Sequence, residues 1–105
     1  MYAKVYQYRF ASIDEAKVAA SYCSENLGAK IAEYRIQSLN ITIGKEGDLS
    51  ILMKFEDINT LKKYEGFAEA FIKQLKNTFA FKENQYAGVF VYNYEGEASS
   101  KEIKV

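Results

Sequence analysis

The chain contains no histidine, no tryptophan and no proline, and it has a single cysteine, Cys23. Without histidine, the commonest acid–base group and metal ligand near neutral pH is missing. Neither a Ser–His nor a Cys–His nucleophilic pair can be assembled. One cysteine allows no disulfide within the chain and gives no hint of secretion. Arginine is scarce as well, with only Arg9 and Arg35. The 14 basic side chains balance 14 acidic ones and are interspersed with them, the wrong pattern for the basic stripe of a nucleic-acid binder. No apolar run is long enough to span a bilayer, and the first strand pattern follows Met1 with no leader or lipidation motif between. A cytoplasmic protein is expected, with neither nucleic acid nor membrane as partner. The six glycines are scattered through turns and form no P-loop or dinucleotide fingerprint. The carboxylates have no metal-loop spacing. No metal and no cofactor are implied.

What is abundant is tyrosine and phenylalanine, placed at every second position near both ends. Tyr2, Tyr6, Tyr8 and Phe10 form one set, interrupted by Lys4; Tyr86, Phe90, Tyr92 and Tyr94 form the other, interrupted by Gly88. A period of two puts each set on one face of a β-strand. Residues 2–10 and 86–94 are therefore expected to be strands, and as sheet neighbours they would build an aromatic floor.

Between them the pattern changes period. Ser12 opens a capping box with Glu15, and Ile13, Ala16, Ala20, Cys23 and Leu27 form a narrow helical stripe that Gly28 is placed to stop. Residues 29–43 are rich in β-formers and predict a strand that bends midway, because Glu33, Arg35 and Gln37 share the parity of Leu39, Ile41 and Ile43. Lys45-Glu46-Gly47-Asp48 signals a hairpin turn, and residues 49–55 a strand with Leu49, Ile51, Met53 and Phe55 on one face. Asp57 is the next N-cap. A second helix follows, with Leu61, Tyr64, Ala68, Phe71, Ile72, Leu75 and Phe79 on a broad apolar face and Gly66 as a possible kink or break. Asn84 falls in the loop before the last strand. The order βαββαβ with right-handed crossovers predicts an α+β, ferredoxin-like fold: a four-stranded antiparallel sheet ordered 4-1-3-2 with two helices on one face. Residues 1–95 form that domain, and 96–105 a tail that is either frayed or a short extra strand ending in Ile103 and Val105.

Two helices cover only one face of such a sheet. With the even-numbered aromatics of both outer strands turned to the helices, the other face carries Ala3, Val5, Gln7, Arg9, Tyr34, Ile36, Ser50, Leu52, Val89 and Val91. That face is too apolar for water and too polar for a dry core, so pressing it against a second copy is the expected solution. The element order, size, long second strand and aromatic second helix (LKKYEGFAEAFIKQL, residues 61–75) resemble the dimeric α+β barrel proteins. That superfamily includes cofactor-free quinone-forming monooxygenases, muconolactone isomerase, stress-responsive barrel proteins and haem-degrading monooxygenases. The resemblance implies a homodimer with a shared barrel. The chain departs from the haem-degrading and stress-responsive members in lacking histidine, and from the monooxygenases in lacking tryptophan, so no catalytic residue is carried over.

For chemistry there remain phenols, two guanidinium groups and buried shape. A pocket between the sheet and the second helix would be lined by Tyr6, Tyr8, Tyr64, Phe67, Phe71 and Tyr92, with Arg35 or Arg9 to hold an anionic group. Aromatic walls with a few hydroxyls suit a planar, partly polar ligand, although rings at such positions more often simply fill a core. Cys23, on the apolar helix face, reads as packing, and Glu65 with Glu69 as a solvated helix face. Three readings follow: a dimer binding a small hydrophobic or aromatic metabolite, a cofactor-free monooxygenase or isomerase, and an assembly protein with no ligand.

Overall fold

The computed structural model describes residues 1–96. Its elements run β1 (Tyr2–Arg9), α1 (Ile13–Gly28), β2 (Ser38–Ile43), β3 (Asp48–Phe55), α2 (Ile58–Thr78) and β4 (Lys82–Val89). All strand pairs are antiparallel and the sheet order is β2-β3-β1-β4, which is the expected 4-1-3-2 read from the other edge. The fold is ferredoxin-like. The tail strand contemplated for Ile103 and Val105 lies outside the described residues.

Local signals explain both helix starts. The Ser12 hydroxyl accepts from the Glu15 N–H at 3.2 Å, and the Glu15 carboxylate reaches back to the Ala11 N–H at 3.1 Å, one residue further than the standard box. Asp57 accepts from the Thr60 N–H at 2.9 Å, a bond that lowers its carboxyl pKa. Gly66 neither kinks nor splits α2, which is continuous through it. A Cβ there would meet nothing within 4 Å, so the position tolerates glycine without needing it. The hairpin between β2 and β3 turns at Gly47, whose φ is +95°.

Odd residues of β3 and even residues of β1 face the helices, as predicted: Leu49, Ile51, Met53, Phe55, Tyr6 and Tyr8 are all buried. α1 lies over β2 and β3, and α2 over β1 and β3. The small residues Ala16, Ala19 and Cys23 on α1 are completely buried, which lets that helix approach the sheet closely.

Three expectations need correction. Strand β2 is short: residues 29–35 instead make helical turns after α1, held by bonds such as Lys30 N–H to Leu27 C=O at 3.0 Å and Tyr34 N–H to Lys30 C=O at 3.1 Å. Ile36 thereby enters the core and Tyr34 packs on Tyr64 and Phe67, so neither belongs to the helix-free face. Strand β4 starts earlier and ends earlier than 86–94, and Asn84 lies inside it. Its partner β1 begins at Tyr2, which pairs with Val89, so beyond one further bond, Phe90 N–H to Met1 C=O at 3.1 Å, no strand remains to pair with. Lastly, the aromatic floor does not form. The register sets Tyr6 opposite Gln85 and Tyr8 opposite Glu83, while Tyr86 stands opposite Val5 on the helix-free face. Equal periods in two strands do not guarantee equal phase; Phe79 and Phe81, just before β4, pack against Phe10 and Tyr8 instead.

Candidate functional site

Because α2 lies over β1 and β3, β4 is left with almost no helix above it and is exposed along nearly its whole length. The step between α2 and the uncovered strand is a groove of about 490 Å³. Tyr6 and Lys4 from β1 and Gln85 from β4 line one side; Glu65, Ala68, Glu69, Ile72, Lys73 and Lys76 from α2 line the other. The volume falls within the ~300–1,000 Å³ typical of small-molecule sites.

Lys4 is the sharpest feature of this groove. It occupies the buried parity of β1 and is only 8 % exposed, a costly place for an ammonium without a partner. Glu65 supplies one at 2.9 Å, and the ammonium also lies 5.6 Å from the centre of the Tyr6 ring, within cation–π range. The one break in the first aromatic set was the available sequence signal for this site. Glu69 is exposed and Glu65 partly so, in keeping with a solvated helix face, and both border the groove, with Ile72 and Lys73 one turn on.

Behind the groove wall sit the phenols. Tyr6 and Tyr64 share a hydrogen bond of 2.9 Å between their hydroxyls. Tyr8 is buried, and its hydroxyl has no hydrogen-bond partner among the described residues. Burial pushes the Tyr6 phenol up to about 12, partly offset by the bond to Tyr64 and reinforced by the nearby Glu65 carboxylate. Burial drives Tyr8 and Tyr64 higher still, and raises the Cys23 thiol to about 12. All four groups are neutral at physiological pH. In that state they cannot act as bases or nucleophiles.

The predicted site residues do not all converge. Tyr6, Tyr8, Tyr64, Phe67 and Phe71 come together in one aromatic layer, with Tyr64 6.0 Å from Phe67 and Phe67 6.1 Å from Phe71 between ring centres. Tyr22 and Tyr34 extend the layer. Of these rings only Tyr6 also borders the groove. Arg35 stands at the α1–β2 connection with positive φ, 53°, near Asp57 at the start of α2 rather than at the groove. Tyr92 follows β4 and is 83 % exposed. Arg9 pairs with Asp48 at 2.7 Å on the surface. No group of three His, Cys, Asp or Glu side chains suited to a metal ion occurs among the described residues, and no described helix is long and apolar enough to cross a membrane.

Solved structures with this architecture are recognisable at low sequence identity. A dimeric ferredoxin-like protein from an uncultured marine organism superposes with a TM-score of 0.72 at 14 % identity, over 91 % of this chain and all of that one. A candidate antibiotic biosynthesis monooxygenase from Deinococcus radiodurans gives a TM-score of 0.64 at 16 % identity, with the same coverage. No protein-family model and no curated protein sequence matches the chain. At such identities the likeness establishes the fold alone.

Proposed function

We propose that the protein binds a small, mainly apolar or aromatic molecule in the groove between α2 and the β1–β4 side of the sheet, as a cytoplasmic homodimer joined through the helix-free face. The observation that carries this reading is the uncovered helix side of β4 beside the buried Lys4 and its half-buried partner Glu65. Ala68, Ile72 and the edge of Tyr6 offer apolar surface, and Lys4 with Gln85 offers donors. Such a mixture orients a ligand that has one polar end. The aromatic layer behind it gives the wall rigidity, since its rings are in mutual contact.

A thermal-shift screen of planar aromatic acids, phenols and quinones against wild type and Ile72→Trp tests the reading. Binders should raise the melting temperature of wild type and lose that effect when the larger ring fills the groove, because stabilisation follows ligand saturation. A binder whose effect survives Ile72→Trp, or the absence of any binder, would contradict it.

A second reading has support from the monooxygenase-like neighbour: a cofactor-free oxygenase or isomerase acting on a small aromatic compound. The neutral phenol of Tyr6, which borders the groove, suits oxyanion stabilisation. Oxygen consumption or product formation with any binder found would favour this reading over simple binding.

A further inference from the structure

The second aromatic set, displaced from the core by the register of β4, has no role in the groove. After Phe90 the chain leaves the sheet edge and crosses the helix-free face. Its path is fixed at both ends: the Phe90 N–H bonds to the Met1 carbonyl, and the Glu95 carboxylate pairs with Lys54. Lys54 lies on β3, two strands away, in one cross-sheet row with Ala3 and Gly88. At ~4.8 Å per strand the segment spans about 10 Å of sheet. Ala3 at 7 % and Lys54 at 4 % exposure are accordingly covered, and the Lys54 ammonium also lies 5.4 Å from the Phe90 ring centre. The small side chain of Ala3 in that row leaves room for the strap.

Its outer side is another matter. Val91, Tyr92 and Tyr94 are 95 %, 83 % and 80 % exposed. The next row of the same face adds Leu52 and Tyr86, which flank Val5 in register. Beyond that the face becomes polar at Gln7, Ser50 and Asn84, then charged at Arg9, Asp48 and Lys82. Apolar character is thus concentrated at the strap end. Taking ~200 Å² for a full aromatic side chain, the exposed part of these residues is on the order of 700 Å². That exceeds the ~300–600 Å² of the largest patch on a typical monomer and approaches the ~800 Å² that each partner contributes to a stable complex.

We propose that the strap Phe90–Glu95 is the centre of the contact between two copies of this chain, with Val91, Tyr92 and Tyr94 packing on the partner and the Lys54–Glu95 pair holding the strap in register. The proposal rests on the homodimer reading and sharpens it: the sheet face meets its partner through the strap rather than directly, and the Gln7–Ser50 end stays at the rim. A second copy is the favoured occupant because area and composition match an isologous interface, in which one patch serves both subunits.

Native mass spectrometry and light scattering over a dilution series decide it, on wild type, Val91→Lys/Tyr94→Lys, and Gln7→Lys/Ser50→Lys. Circular dichroism checks that each variant folds; the strap positions are exposed, so the fold should persist. The expected result is a wild-type dimer whose dissociation constant rises ~30-fold or more in the strap variant, as for central hot spots, with little change in the polar-end variant. A dimer broken by the polar-end variant and not by the strap variant would overturn the strap while preserving a sheet-face dimer. A dimer indifferent to both, or a wild-type monomer throughout, would overturn both ideas.

Discussion

Replacing each of the three buried phenols by phenylalanine should give effects of opposite sign. The Tyr6 and Tyr64 hydroxyls satisfy each other at 2.9 Å, whereas the Tyr8 hydroxyl has no partner among the described residues. A buried polar group left unpaired costs ~1–3 kcal/mol, while removing both members of a bonded pair is nearly neutral. Tyr6→Phe therefore strands the Tyr64 hydroxyl and should destabilise by ~1–3 kcal/mol, and Tyr64→Phe should do the same to Tyr6. The double variant should recover most of that loss, a coupling that a double-mutant cycle reads directly. Tyr8→Phe should instead stabilise by about 1 kcal/mol, worth ~4–8 °C in melting temperature for a domain approaching 100 residues. Urea unfolding at neutral pH, followed by circular dichroism with midpoint and slope both fitted, measures all four. Additive losses for Tyr6→Phe and Tyr64→Phe would refute the pairing argument. A loss above about 1 kcal/mol for Tyr8→Phe would show that its hydroxyl is satisfied by a water or a bound molecule, and would refute the orphan assignment.

Alkaline pH should unfold the protein steeply. Cys23 ionises near 9.0 in the unfolded chain and near 12 when folded, and Tyr6 moves from 10.0 to about 12. The unfolded state then binds fewer protons than the native one, so stability falls as pH rises, by ~1.4 kcal/mol per pH unit and per group. The urea midpoint should begin to drop near pH 9 in wild type but only near pH 10 in Cys23→Ala. Two backbone positions make a contrasting pair. A Cβ at Gly47, where φ is +95°, would sit 2.5 Å from the Phe10 carbonyl oxygen, so Gly47→Ala should cost at least ~2 kcal/mol. At Arg35, φ 53°, the change to glycine relieves strain and should be neutral or stabilising by up to ~1 kcal/mol. Melting temperatures of the two variants check both signs.

Much of the fold was legible because period and caps pointed the same way. Ser12 with Glu15 and Asp57 marked both helix starts, and Leu49 to Phe55 gave strand, parity and buried face together. Two of the failures share one cause: β-propensity says which residues suit a strand but not which have a partner available. Residues 29–35 read as strand, yet β3 offers pairing only as far as Lys54 opposite Ser38, and the chain there closes its bonds locally instead. The aromatic run 86–94 is strand-like throughout, but β1 runs out at Tyr2. Phase between two strands is a property of the ladder and the loop before it, so Tyr86 could not be assigned a face from its own neighbours.

The groove was harder to foresee for a related reason. It is made by an absence of cover: α2 packs across β1 and β3 and stops short of β4, a consequence of helix placement that no local pattern encodes. The aromatic residues that invited a pocket were numerous enough to fill the space they enclose, and close packing is the default outcome for rings of matched size. What could be read was the exception within the pattern. A lysine at the buried parity of a central strand must have a partner or a purpose, because desolvating an unpaired ammonium is prohibitive. Lys4 has Glu65, at 2.9 Å, whose side chain is 37 % exposed. The same logic applies to Lys54 on the opposite face, whose partner is carried on the strap. Two buried lysines, one on each face of the sheet, thus lie at the two surfaces proposed above to meet a ligand and a second copy.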